Sequence, residues 1–367
     1  MGGQLSYRYR RFGAFRLGLA FLVVLQHFTA NAAPLGFLYD NIVPYELGSL
    51  AVLVFFCLSG FVITEAVTRV YSDKPVAYLT NRFLRIMPHF IVAIVVAVII
   101  HAVFHHFGTL RISNREHPNL PTLHAFDFFN IAGNAFAFLP GVNRFLSFSF
   151  VDIIWAVRVE MVFYFAVFLI LLVPSRLRST ALLPYVLVLL GLATIFVSRQ
   201  FGFGFFFMYG VLLFDHQRFR FNLLLCTAGM SLYFFLIPLQ TDAHYPRAVL
   251  EQYLLLIAMI GAMTWLASRP GNPHAFDQRC GELSYPLYIH HQNVLILMIS
   301  LTTGYSYPVF AIGVLVSLAA SYGLMQLVDP TINQLRNIIR GGQLARVDNN
   351  TPSQATAAIP AIQPTGS

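Results

Sequence analysis

Apolar residues run along this chain in long unbroken blocks, without the alternation of half-buried strands or the one-sided stripe of surface helices. A helix crossing a bilayer needs about 20 mostly apolar residues. Blocks of that kind lie near 14–31, 47–69, 85–107, 149–173, 181–198, 203–215, 221–238, 247–267, 283–302 and 306–328, with 203–215 the shortest. They predict an all-α polytopic membrane protein, a bundle of about ten transmembrane helices. Outer-membrane strands would alternate apolar and polar positions over ~10 residues, and these blocks do not.

Composition narrows the class further. The 367 residues are 57% hydrophobic and only 10% charged, with a mean hydropathy of +0.68. Soluble domains carry roughly 25% charged residues, so soluble, disordered and disulfide-stapled classes are excluded. Three cysteines, Cys57, Cys226 and Cys280, show no paired spacing. The first block contains Arg16 and His27, and no small-residue cleavage site follows its basic start, so a cleavable signal peptide is not expected.

The net charge of +8 reads as topology, because the basic residues sit in short loops between apolar blocks. With the N-terminus in the cytoplasm, 17 of the 23 Lys and Arg residues fall on the inner side, five on the outer, and Arg158 inside a helix. That bias satisfies the positive-inside rule and predicts that both termini are cytoplasmic. No nucleic-acid partner is expected. The outer segment 108–148 reads as a packed interfacial loop. The stretch 341–367, rich in Ala, Thr, Pro, Gln and Asn, reads as a disordered cytoplasmic tail behind a transmembrane domain over 1–340. No internal repeat is evident, which weakens an inverted-repeat transporter.

Charges within spans are costly and usually functional, which makes the few present here the candidate site. Arg16 and His27 are eleven residues apart, about 20° beyond three turns, so both project from one face, about 16 Å apart along the axis. His27, near mid-bilayer, is suited to take a proton from a substrate hydroxyl. Glu160, about a dozen residues into the block at 149–173, is expected at a similar depth, with its side chain about 3–6 Å from His27. Ser59 and Gly60 allow close approach of a backbone or ligand. Arg82 and Arg85, three apart at the start of the third block, suit a phosphate-bearing ligand arriving from the cytosol. His101, His105 and His106 lack a further ligand at metal spacing, and adjacent His290 and His291 point in different directions; no metal site is expected. No HExxH, P-loop or GxGxxG signature occurs.

Arg16-x10-His27, VFFCLSGFVI, RFLRIMP, WAVRVEMVFYF and GELSYPLYIHH occur in that order. Together they strongly resemble the membrane-bound acyltransferase family 3, whose members O-acylate lipopolysaccharide, exopolysaccharide, lipochito-oligosaccharide signals and similar glycans. The resemblance covers about residues 10–335. It implies that Arg16, His27 and Glu160 are catalytic, and that Arg82, Arg85, Ser59, Gly60, Tyr164, Ser284, Tyr288 and His290 bind substrate. It also implies acyl-CoA (acetyl-CoA expected) as co-substrate without a tightly bound cofactor, and a cell-surface glycan or glycolipid as acceptor. The expected location is the bacterial cytoplasmic (inner) membrane, multi-pass. Two departures stand out: Asp329-Pro330 replaces a Glu-x-Pro-like turn in the last helix, and no fused extracytoplasmic hydrolase-like domain is expected. The alternative class is a proton-coupled transporter or flippase of a glycan or lipid-linked substrate, with Arg16, His27 and Glu160 as relay. Acyl-CoA-dependent labelling of glycan separates the two.

Overall fold

The computed structural model describes residues 12–30, 36–112, 120–173, 202–214, 220–236, 248–269, 274–302 and 306–339. Among these residues every regular element is helical. In chain order they are α1 (Gly13–Ala30), α2 (Gly36–Ile42), α3 (Leu47–Ala66, continued as a π-helix over Val67–Tyr71), α4 (Pro75–His106), α5 (Phe128–Ala135) and α6 (Ile154–Leu172). Then follow α7 (Phe203–Phe214), α8 (Arg220–Leu236), α9 (Ala248–Ser268), α10 (Ala275–Leu301) and α11 (Tyr307–Ile339). The predicted helix at 181–198 and the predicted tail at 341–367 lie outside the described residues.

Six helical stretches among the described residues are long and apolar enough to cross a membrane, fewer than the ten blocks. One of the blocks, 181–198, lies outside the described residues; the rest of the difference is physical. Helix α7 has 12 residues, short of a full crossing at 1.5 Å per residue, and α8 has 17. Helix α10 is long but polar, because its polar side chains are buried and fasten its neighbours. Tyr285 Oη donates to the Ile86 carbonyl of α4 at 3.0 Å, and Asn293 Nδ2 to the Ala93 carbonyl at 2.9 Å. Gln292 exchanges two hydrogen bonds with Asp152 just ahead of α6. Buried polar groups that find partners cost little, so a hydropathy count understates how deeply this helix is embedded.

Helices α1 and α10 run parallel in one register. Asp277 accepts the backbone N–H groups of Gly13 and Ala14 at 3.1 and 2.8 Å, capping the start of α1 from another helix. At the other end the rings of His27 and His291 face each other, so partners at both ends are 264 positions apart. Helix α7 runs parallel to α3, with Phe56 against Phe203 and Phe61 against Phe214, each pair 5.6 Å between ring centres. The two helices touch through glycines: a Cβ on Gly60 would lie 2.0 Å from the Phe207 carbonyl oxygen, and one on Gly210 1.7 Å from that of Cys57. Gly60→Ala is therefore expected to separate α3 from α7, at about 1–3 kcal/mol or more. Thermal unfolding in detergent reads this directly; an unchanged midpoint would refute the close contact.

The segment ahead of α3 closes the Ala30 end of α1. Gln26 Nε2 donates to Glu46 at 2.5 Å, and its Oε1 accepts the Gly48 N–H at 2.5 Å. The loop after α4 folds around Asn130 and Asn134, whose side chains bond the backbone of Ala125, Ser147, Phe148 and Phe150. Because that loop holds the chain until Ile153, α6 starts five residues later than the apolar block.

Candidate active site

Five helices surround one cavity. Arg16 comes from α1, Ser59 from α3, Arg82 and Arg85 from α4, Glu160 and Tyr164 from α6, and Ser284, Tyr285 and Tyr288 from α10. Aromatic and aliphatic side chains, Phe55, Phe56 and Val62 among them, complete the wall. The cavity volume is about 70 Å³; one water needs roughly 10–15 Å³ on the same scale.

The charge in this cavity is one-sided. Three guanidinium groups face one carboxylate, leaving two positive charges in a setting of low dielectric. Glu160 is held in place by Ser59 Oγ, which donates at 3.0 Å, and by the Tyr164 hydroxyl. Arg82 is only 6% exposed. Its guanidinium lies 5.8 Å from the Tyr78 ring centre and 5.6 Å from that of Tyr164, a cation–π setting that desolvation strengthens. Its Nε, like the Tyr78 hydroxyl, has no hydrogen-bond partner among the described residues. A buried guanidinium with a free donor beside a cavity is a receptor for an anion, since leaving such a donor unpaired is costly.

The structure brings most of the sequence candidates into this cavity and sets three apart. Arg82 and Arg85 lie eight and eleven positions into α4, not at its start, because the helix begins at Pro75. Ser284 spends its hydroxyl on the Gly281 carbonyl at 2.8 Å, and Tyr288 reaches the Ile153 carbonyl at 3.4 Å; both line the wall while tying backbone. Gly60 faces α7 and not the cavity. His290 packs against His89 of α4, 5.9 Å between ring centres.

His27 is also not among the lining residues. Its ring is 5.1 Å from that of His291, and His291 in turn is 6.2 Å from the ring of Tyr288 on the cavity wall. The depth of Glu160 explains why it does not share this position. Residues 152 and 153 are tied to α10 at Gln292 and Tyr288, level with Phe28 and Val24 of α1 by the common register. Glu160 lies seven residues further on, about 10 Å toward the Gly13 end, level with Arg16. The expectation of similar depth counted from residue 149 and so placed Glu160 too near His27.

Sequence reasoning passed over Tyr78 and the His89–Asp329 pairing at 2.8 Å, and weighed His291 only as a metal ligand. For His291 the sequence offered only its place beside His290 at the end of GELSYPLYIHH. Among the described residues, no group of three or more His, Cys, Asp or Glu side chains is arranged to hold a metal ion.

No curated protein and no solved structure matches the chain. The sequence profile of a family described as an acyltransferase domain matches residues 10–326, a span that contains every cavity residue named above. The order of motifs, the apolar helices and the cationic cavity they enclose agree with that profile, and the chain belongs to acyltransferase family 3.

Proposed function

We propose that this membrane acyltransferase moves an acyl group, acetyl being the best fit, from cytosolic acyl-CoA to a hydroxyl of a cell-surface glycan or glycolipid. The observation that carries the reading is the cavity in which, among the described residues, three guanidinium groups face one carboxylate and Arg82 Nε has no hydrogen-bond partner. Phosphates of the donor suit Arg82 and Arg85 through forked, charge-assisted contacts. The positive-inside bias supports a cytoplasmic position for this end of the bundle and for both termini, as expected of a protein of the bacterial inner membrane. A cavity of about 70 Å³, about five to seven waters on the same scale, suits a phosphate group of the donor at the arginines.

The register of α1 sets the chemistry beyond the cavity. From Arg16 to His27 is about 16 Å along the helix, the reach required of the donor's pantetheine arm. At that point His27 removes the proton of the acceptor hydroxyl as its oxygen attacks the thioester carbonyl. A carbon–oxygen bond forms, the carbon–sulfur bond breaks, and the departing thiolate takes the proton back from His27. Direct transfer is favoured because the serine bonded to a carboxylate in the cavity, Ser59 to Glu160, lies at the level of Arg16, about 16 Å from His27 along α1. Glu160 lines the same cavity as the arginines and counters their mutual repulsion.

The test uses membranes from cells expressing the full chain, supplied with acetyl-CoA labelled in its acetyl group. Label in the glycan or glycolipid fraction, dependent on the chain, supports the reading. Movement of a lipid-linked glycan across the membrane without label would overturn it in favour of a transporter.

A further inference from the structure

Adjacent histidines on one helix diverge, and on α10 they serve different neighbours. His290 turns to α4 and the His89–Asp329 pair. His291 turns to α1, is fully buried, and brings its ring within 5.1 Å of His27. Its Nδ1 lies 2.7 Å from the Tyr288 carbonyl oxygen and 3.3 Å from that of Leu287. Carbonyl oxygens only accept, so Nδ1 carries the ring proton and Nε2 keeps a lone pair. That Nε2 is buried without a hydrogen-bond partner among the described residues. A fixed acceptor of this kind, left unsatisfied, destabilises the site until a donor meets it.

We propose that His291 is a positioning residue for His27: its Nε2 accepts the N–H of His27, so that the other nitrogen of His27 presents its lone pair to the acceptor hydroxyl. The spacing allows it. The rings lie 5.1 Å apart and tilted by 51° without a bond to His291 Nε2 in this arrangement; turning the His27 side chain so that a ring N–H lies on the line between the rings brings it to about 3 Å, hydrogen-bond length. Catalytic and metal-bound histidines are held in one tautomer by a group on their second nitrogen. Here a neutral imidazole does this without burying a second charge in the membrane. When His27 takes the hydroxyl proton, its bond to His291 becomes charge-assisted and tightens. The bond relaxes when the proton passes to the thiolate.

This inference rests on the acyl-transfer reading above, and the experiment keeps the two apart. His291→Asn retains an amide donor near the Nδ1 position, facing the Tyr288 carbonyl, but has nothing at the Nε2 position. His291→Gln places an amide oxygen near Nε2. Labelled acetyl transfer is followed with acetyl-CoA as the varied donor, at equal amounts of folded protein judged by size exclusion and unfolding midpoint. His291→Asn is expected to lower kcat by about 10–100-fold and leave the KM for acetyl-CoA within about twofold, since His291 does not line the donor cavity. His291→Gln is expected to recover most of the loss. Equal rates in the two variants and the unaltered chain, or a rise in KM at constant kcat, would overturn the role of His291 while transfer itself stands. No transfer by the unaltered chain would overturn the reading beneath it.

Discussion

His27→Ala is expected to abolish acyl transfer while leaving the protein folded and in the membrane. A positioned base contributes about 10²–10⁴ in rate, about 3–5 kcal/mol of barrier. The fold does not depend on this imidazole in the same measure: α1 is anchored at Gly13 by Asp277, at Gln26 by Glu46 and Gly48, and at Phe28 by Phe310. His27→Gln separates shape from basicity, since glutamine fills similar space without a basic nitrogen. Both variants are compared with the unaltered chain for labelled acetyl transfer and for unfolding midpoint. Near-full activity in either removes His27 as the base.

The second large effect concerns the donor. Arg82→Ala is expected to raise the KM for acetyl-CoA about 10–100-fold, because a hydrogen bond to a charged group contributes about 1.5–3 kcal/mol, and each 1.4 kcal/mol is tenfold. Arg85→Ala is expected to act in the same direction. Contacts made equally in the ground and transition states change KM and spare kcat, so turnover at saturating donor should be much less affected. Lysine restores the charge but not the fork, and should rescue only in part. Arg82→Ala also removes a buried cation from between Tyr78 and Tyr164, so a lower unfolding midpoint should accompany it. A double variant with unaltered donor dependence would reduce the pair to topological anchors.

Which motifs converge was partly legible before any coordinates. Helical periodicity put Arg16 and His27 on one face of α1, and intramembrane charge marked Glu160, Arg82 and Arg85 as costly residues with a purpose. Depth was less legible. Counting Glu160 from an apolar boundary failed by about one and a half turns, because Phe148 and Phe150 are apolar yet belong to a loop bonded to Asn130 and Asn134. Apolarity marks burial, and burial does not require a helix. The adjacent histidines show the same limit: sequence says that they diverge, but not that one meets α1 and the other α4.

The sequence by itself determined the class, the approximate positions of nine described helices and the family, since each follows from properties that accumulate locally along the chain. A bilayer rewards about 20 apolar residues at a time, and ordered motifs need no knowledge of where each helix stands. Only the tertiary structure decided that Arg16 and Glu160 share a level, that Gly60 serves α7, that α10 is embedded despite its polarity, and that His27 faces His291. These depend on the register between helices far apart in sequence. That register is set by single contacts, a carboxylate capping a distant helix start or two glycine backbones in touch, which leave no periodic trace.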